Sequence, residues 1–137
     1  MTSPATDREL DSQVREVLKR FNELVSTGDL RVLDEFAPGE AVSLVGSEAG
    51  ELALGRSALQ EFFRRVFARP ESFAWEWHRL EAWRLGDIAW FYADGRVLLT
   101  TPEGQRSGPY CVTGILQRQG DGWLWRHYHG AEPVAGG

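Results

Sequence analysis

From residue 73 onward the hydrophobic pattern changes from helical spacing to strict alternation, and this change constrains the fold most. Phe73, Trp75 and Trp77 alternate with Ala74 and Glu76, a period of two that is typical of a β-strand. Aromatic enrichment favours the same structure. Short turns rich in Gly and Asp separate the apolar runs that follow, so the pattern predicts a four-stranded antiparallel meander. The predicted strands are 73–85, 88–99, 108–118 and 123–129, with turns at 86–87, 101–104 and 119–122.

Before residue 73 the apolar residues recur at the spacing of helices. A stripe from Leu10 to Val25 predicts a first helix, with a capping box over 6–9 and Gly28 as the residue that ends it. Asp29 begins a short second helix that stops before Pro38. The remaining predicted elements are a short strand at 41–45, a loop at 46–51 and a third helix with a capping box at 57–60 that stops before Pro70.

This order of elements predicts an α+β fold. Three N-terminal helices would pack on one face of a curved antiparallel sheet, which would form a cone-shaped α+β barrel with an apolar cavity. The chain has 137 residues, enough for one domain. We expect a disordered leader over 1–5, a single domain over 6–130 and a flexible tail over 131–137.

Composition excludes several classes of protein. The formal net charge is −5 and the pI is near 5.2, which argues against nucleic-acid binding. No apolar run is long enough to span a membrane, and the first residues do not form a secretory signal. With one cysteine, Cys111, the chain can form neither an internal disulfide nor a cysteine zinc site. We expect a cytoplasmic protein without a cofactor.

All six tryptophans lie in the predicted sheet. Their rings could line a pocket for a flat, largely apolar molecule, because indole faces stack and bury a large area. They could equally fill the core, or form a dimer interface on the outer face of the sheet. Alternation shows which of these residues share a face of their strand, but it does not show which face points inward. The aromatic candidates for the pocket are Trp75, Trp77, Trp83, Trp90, Tyr92 and Trp125.

His127 and His129 are two residues apart on the last strand, so alternation places both on one face with Trp123 and Trp125. A histidine titrates near neutral pH and is suited to general acid–base catalysis. The alternatives are a structural role through hydrogen bonds, or a metal site. A metal would need a third ligand, and His78 lies on another strand.

Asp94 and Cys111 are two further candidates for chemistry. Asp94 interrupts the second strand of the meander and is a candidate base, although Asp94-Gly95 is also typical of a bulge or a solvated edge. Cys111 would need a neighbouring base to act as a nucleophile.

Several short motifs occur here in the order found in one superfamily. They are 21–24 with 27–30, 36–38, 45–48, 55–59 with 62–63, 86–90, and 113–116 with 120–123 and 127–129. The chain resembles proteins with the fold of nuclear transport factor 2, a superfamily that includes SnoaL-like polyketide cyclases and ketosteroid isomerases. The resemblance spans residues 8–130. It implies that the face of the last strand that carries His127 and His129 lines a cavity. It does not imply one function, because the fold hosts many.

The isomerase branch can be tested residue by residue. Its chemistry needs a carboxylate base and an oxyanion hole made of Tyr and a protonated Asp. By the resemblance, the position of the base falls on Ser43 and that of the Tyr on Phe21. The position of the protonated Asp falls on either Thr113 or Gly114. None of these side chains supplies the required group, so isomerisation by that mechanism is excluded.

We therefore predict a protein that binds a small apolar or aromatic molecule in a pocket between the first helix, the third helix and the sheet. Lyase, isomerase or cyclase chemistry would fall to His127, His129 and Asp94, without a metal. We also expect this protein to form a homodimer through the outer face of the sheet. The alternative is a non-catalytic homodimeric accessory or binding module. No nucleic acid or membrane is expected as a partner. The predicted pocket residues are Phe21, Ser43, Phe63, Trp77, Trp90, Tyr92, Thr113 and Trp125.

Overall fold

The computed structural model describes residues 4–133. This part of the chain contains two α-helices, one 3-10 helix and six strands. Residues 1–3 of the predicted leader and 134–137 of the predicted tail lie outside the described residues. In chain order the elements are α1 (Pro4–Ser26), the 3-10 helix (Leu30–Glu35), β1 (Ser43–Val45), β2 (Leu52–Leu54), α2 (Arg56–Phe67), β3 (Ser72–Leu85), β4 (Ile88–Thr101), β5 (Gly104–Gln119) and β6 (Gly122–Ala131).

The six strands form one sheet in the order β2-β1-β6-β5-β4-β3. The predicted meander is confirmed as β3 to β6, each strand antiparallel to the next. Sequence analysis did not predict β2, nor that β1 pairs in parallel with β6. The sheet curves without closing, because β2 and β3 remain its edges. The α+β class is confirmed.

The helix ends show which local signals were correct. Gly28, with φ of 65°, ends α1 as predicted, and its N–H donates to the Val25 carbonyl. Asp29 caps the 3-10 helix by accepting from the Arg31 N–H. Both predicted capping boxes were wrong. The first helix already begins at Pro4, a residue suited to a first helical turn because it lacks an N–H donor, and α2 begins at Arg56, whose N-cap is Gly55.

The core lies between the helices and the concave face of the sheet, and Trp125 is at its centre. This indole is fully buried, and its ring lies 5.2 Å from that of Phe21 and 5.5 Å from that of Phe91. Gly114 on β5 makes this packing possible, since a Cβ there would lie 2.6 Å from Phe91 and 2.7 Å from Trp125. Trp125 is thus a central core residue.

A β-bulge in β6 decides which side chains face the core. The pairing with β5 shifts between Ile115 and Leu116, so that Arg126 has no partner across the ladder. On the other side of β6, the chain after the 3-10 helix pairs at Trp125, whereas β1 pairs from His127 onward. A bulge reverses the face on which the following residues lie. Odd-numbered residues of β6 therefore face the core before Arg126, and even-numbered residues face it afterwards.

Candidate functional site

A cavity of about 380 Å³ lies inside the curve of the sheet, between α1, α2 and the strands. Its volume falls within the range of about 300–1,000 Å³ that is usual for small-molecule sites. Most of its wall is apolar and aromatic. The apolar lining residues are Phe21, Val25, Leu44, Phe62, Phe63, Val66, Phe73, Trp75, Val97 and Leu99.

The aromatic wall is held from three sides. Phe21 of α1 stacks on Tyr128 at 5.2 Å and 23°, and it meets Phe63 of α2 edge to face at 6.3 Å. Trp75 of β3 lies 5.9 Å from Phe21, and its backbone N–H donates to the side chain of Asn22 at 2.8 Å. Rings from both helices and from the sheet therefore pack against one another to form this wall.

One end of the cavity is acidic. Glu48 and Glu51, from the loop between β1 and β2, line it together with Glu132. Glu51 accepts a hydrogen bond from the Glu48 backbone N–H at 2.9 Å. A Cβ at Gly46 would overlap the Glu51 side chain, so that glycine leaves room for the carboxylate.

Burial raises the pKa of the Glu51 carboxyl, and the charges of Glu48 and Glu132 act in the same direction. The Glu48 N–H and the Arg69 guanidinium oppose this rise. Arg106 also lines the cavity, so its formally charged lining consists of three carboxylates and one guanidinium. The formal charge of the lining is therefore negative.

Two buried tyrosines contribute polar groups to the cavity. Tyr110 on β5 and Tyr128 on β6 both line it, and their hydroxyl oxygens are 2.7 Å apart. Burial raises the pKa of Tyr110 to about 12. Burial, followed by the charge of Tyr110, raises that of Tyr128 as well. Both phenols therefore stay protonated near neutral pH and act as hydrogen-bond donors.

A family model described as a SnoaL-like domain matches residues 14–135 of this chain, which is most of its length. The chain belongs to the SnoaL-like family. Among curated proteins, none matches it in sequence.

Solved structures share the fold of this SnoaL-like chain at low sequence identity. A nuclear transport factor 2-like family protein of Streptomyces avermitilis has 19% identity and a TM-score of 0.82, over 96% of this chain and 100% of that one. A Catenulispora acidiphila protein in complex with S-DNPA has 19% identity and a TM-score of 0.78, over 91% and 94%. A superfamily protein of Salmonella enterica has 12% identity and a TM-score of 0.79, over 95% of each chain. At these identities the likeness shows the fold alone.

The predicted placement of the two histidines in the cavity was wrong. Trp123 and Trp125 are buried, but the bulge at Arg126 reverses the alternation after them. Tyr128 then faces the cavity, so His127 and His129 lie on the opposite, outer face of the sheet. There the His127 Nδ1 lies 2.6 Å from the Ser43 hydroxyl. Burial, helped by the charge of His129, lowers the pKa of His127.

Asp94 also lies on the outer face rather than in the cavity. It pairs across the sheet with Cys111 and alternates with the buried Ala93. A hydrogen bond to Asp94 raises the pKa of Tyr92. Burial and the charge of Asp94 raise the pKa of the Cys111 thiol, which disfavours a thiolate nucleophile. The bulge expected near Gly95 occurs on the partner strand β3, between Trp77 and Arg79.

The structure separates the eight predicted pocket residues into three groups. Phe21 and Phe63 line the cavity, and their part in binding stays a prediction. Trp77 and Trp125 pack in or against the core without lining the cavity. The other four lie on the outer face, because each alternates with a buried neighbour; they are Ser43, Trp90, Tyr92 and Thr113. Trp75, one of the wider aromatic candidates, does line the cavity.

The positions tested for isomerase chemistry supply no acid or base to the cavity. Phe21 is a wall residue, Ser43 faces outward, Thr113 is exposed, and Gly114 has no side chain.

Among residues 4–133, no group of three or more His, Cys, Asp or Glu side chains is arranged to hold a metal ion. No helix in this part of the chain has the length and apolar character to cross a membrane.

Sequence reasoning missed the polar residues of the cavity. Tyr110 could have been found, because it continues the apolar alternation of Val112 and Leu116 on β5. Tyr128 was missed because the bulge at Arg126 turns it toward the cavity, and no local sequence pattern predicts that bulge. Glu51 lies in a segment that was predicted as a loop, and a loop sequence does not say where its side chains point.

Proposed function

We propose that this SnoaL-like chain binds a small, largely apolar or aromatic molecule in the cavity beneath the sheet. The observation that carries the proposal is the cavity itself: about 380 Å³, with aromatic rings from both helices and from the sheet around it. Water in a space with such walls makes few hydrogen bonds, so an apolar ligand that displaces it gains affinity. The complex of the Catenulispora acidiphila protein with S-DNPA shows that one protein of this fold was crystallised with a small molecule.

Chemistry by His127, His129 and Asp94 does not fit this cavity, because all three lie on the other face of the sheet. The cavity lining instead includes carboxyl groups, such as that of Glu51, and the hydroxyls of Tyr110 and Tyr128. Binding therefore is the function that the geometry supports best.

A fluorescence titration tests the proposal. N-phenyl-1-naphthylamine is an uncharged aromatic probe whose emission rises in apolar surroundings, so it suits an apolar cavity with an acidic end. We expect saturable binding of one probe per chain. An emission that rises linearly, without saturation up to the solubility limit of the probe, would contradict the proposal.

The outer face of the sheet supports a second candidate function, that of a homodimeric binding module. Trp83 and Trp90 stack on this face with ring centroids 6.4 Å apart, and they are 47% and 41% exposed. Ile88, Ile115 and Leu85 extend the same exposed apolar surface. Tryptophan is enriched at protein interfaces, and a second copy of the chain would present a matching face about a two-fold axis.

Trp90→Glu is expected to convert a dimer of this chain to a monomer, because it would bury two carboxylates against each other at the interface. Light scattering coupled to gel filtration gives the mass, and we expect the wild type at twice 15.4 kDa. Leu30→Glu is the control: Leu30 is 41% exposed but lies on the 3-10 helix. A wild type that is monomeric at micromolar concentration would rule out the dimer.

A further inference from the structure

The tyrosine pair indicates which polar group the ligand carries. Tyr110 and Tyr128 are 5% and 4% exposed, and both line the cavity. Two phenols carry two hydroxyl hydrogens, and the 2.7 Å contact between their oxygens uses one of them. When Tyr110 donates within the pair, the hydrogen of Tyr128 is available to a group inside the cavity. When Tyr128 donates, the hydrogen of Tyr110 can go to the Ser47 hydroxyl nearby or to a ligand.

Trp75 provides a second hydrogen-bond donor beside the first. Its indole ring lines the cavity and lies 5.9 Å from the ring of Tyr110. The Trp75 Nε1 is buried and has no hydrogen-bond partner among the described residues. A buried donor without an acceptor is costly, and a small shift of the indole toward the cavity would let an acceptor on a ligand relieve that cost.

The surroundings make this donor cluster a built feature of the fold. A Cβ on Gly130 would overlap the hydroxyl of Tyr110, so the glycine gives that hydroxyl its place. Phe21 stacks on the ring of Tyr128 and limits its movement. Ser47, another lining residue, donates its own hydroxyl hydrogen to Glu132 at 2.6 Å.

The charges nearby decide what kind of acceptor fits. A carboxylate ligand would accept hydrogen bonds from the phenols, but it would also meet the carboxylates of Glu51 and Glu132 at the same end of the cavity. Like charges in a partly desolvated site repel strongly. An uncharged carbonyl or ether oxygen accepts the same hydrogen bonds without that repulsion.

We propose that the Tyr110–Tyr128 pair, with the indole N–H of Trp75, is a recognition site for an uncharged oxygen acceptor on an aromatic ligand, of which an aryl ketone is the simplest example. This proposal rests on the proposed function, since it names the ligand class of the same cavity.

Three matched naphthalenes test it: 2-acetylnaphthalene, 2-ethylnaphthalene and 2-naphthoate, each competed against the fluorescent probe. They share one ring system and differ in the oxygen and its charge. For the wild type we expect the ketone to bind about five- to tenfold more tightly than the hydrocarbon, the gain of roughly one net hydrogen bond. We expect the carboxylate to bind less tightly than the ketone.

The double variant Tyr110→Phe/Tyr128→Phe keeps both rings and removes both hydroxyls. We expect the preference for the ketone to fall to within about twofold of the hydrocarbon, because the ketone oxygen loses its phenol donors. Tyr92→Phe is the matched control, because it removes a phenol hydroxyl from the outer face; the preference should persist. Should the double variant not fold, Tyr110→Phe and Tyr128→Phe are measured singly. Each leaves one phenol donor, so we expect the ketone preference to fall only in part, and an unchanged preference in both would overturn the recognition site.

The outcomes separate the two proposals. Equal affinity of the ketone and the hydrocarbon for the wild type, or a ketone preference that survives the loss of both hydroxyls, would overturn the recognition site and leave the binding cavity standing. Tighter binding of the carboxylate than of the ketone would overturn it too. A probe that binds saturably but is displaced by none of the three compounds would also overturn the recognition site alone. If neither the probe nor any of the three compounds binds, the proposed function fails, and the recognition site fails with it.

Discussion

Val66→Trp is expected to weaken binding of N-phenyl-1-naphthylamine at least tenfold. Val66 lies on the face of α2 that lines the cavity, next to Phe62 and Phe63. An indole at this position would occupy the space that the proposal assigns to the ligand. A tenfold loss corresponds to about 1.4 kcal/mol, less than the usual contribution of one well-buried aromatic group, so the expected loss is a lower bound.

The same test can be made from the opposite wall. Leu99 of β4 also lines the cavity, and we expect Leu99→Trp to weaken binding of the probe to the same extent. Leu30→Trp is the control, since it adds the same indole to an exposed position of the 3-10 helix. Circular dichroism and thermal unfolding establish that each variant is folded. If both filled variants bind the probe as the wild type does, the probe does not occupy this cavity.

Trp125→Ala is expected to lower the free energy of unfolding by about 3–5 kcal/mol, the range for truncation of a buried Trp. Trp125 is fully buried. The centroid of its ring lies 5.2 to 6.2 Å from the ring centroids of Phe21, Phe36, Phe91 and Tyr128. A domain of this kind is stable by about 5–15 kcal/mol, so the variant would lose a large share of its stability.

Trp83→Ala is the matched control for this measurement. Its indole is 47% exposed and stacks on Trp90 on the outer face, so we expect a loss of about 1 kcal/mol or less. Denaturant unfolding of both variants at one chain concentration gives the comparison. Similar losses for the two would contradict the assignment of Trp125 to the centre of the core and of Trp83 to the surface.

The fold was largely predictable because its signals are local. The alternation after Phe73 and the turns at 86–87 and 119–122 act over a few residues, and they determined the meander correctly. Gly28 and Asp29 were also correct, since a positive φ and a side-chain cap depend on a single position. β2 was missed, because its three residues acquire their structure by pairing with β1.

The site was less predictable, because one bulge decides it. Alternation along 123–129 places His127 and His129 with Trp125, whereas the unpaired Arg126 reverses the face. That bulge is stabilised by contacts that are distant in sequence: the Arg126 guanidinium donates to Gln117 at 2.6 Å and to the Ala41 carbonyl at 3.0 Å. A pattern read along one strand contains no information about such partners. It therefore assigned the histidines to the cavity and left Tyr128 out.

The central claim is that a small aromatic molecule binds inside the curve of the sheet and not on the outer face. A crystal structure of the chain with N-phenyl-1-naphthylamine bound tests this most directly. We predict electron density for the naphthyl ring between Trp75 and Phe63. Density for the probe on the outer face, beside His127 or Trp90, together with a cavity that holds no probe, would contradict the claim.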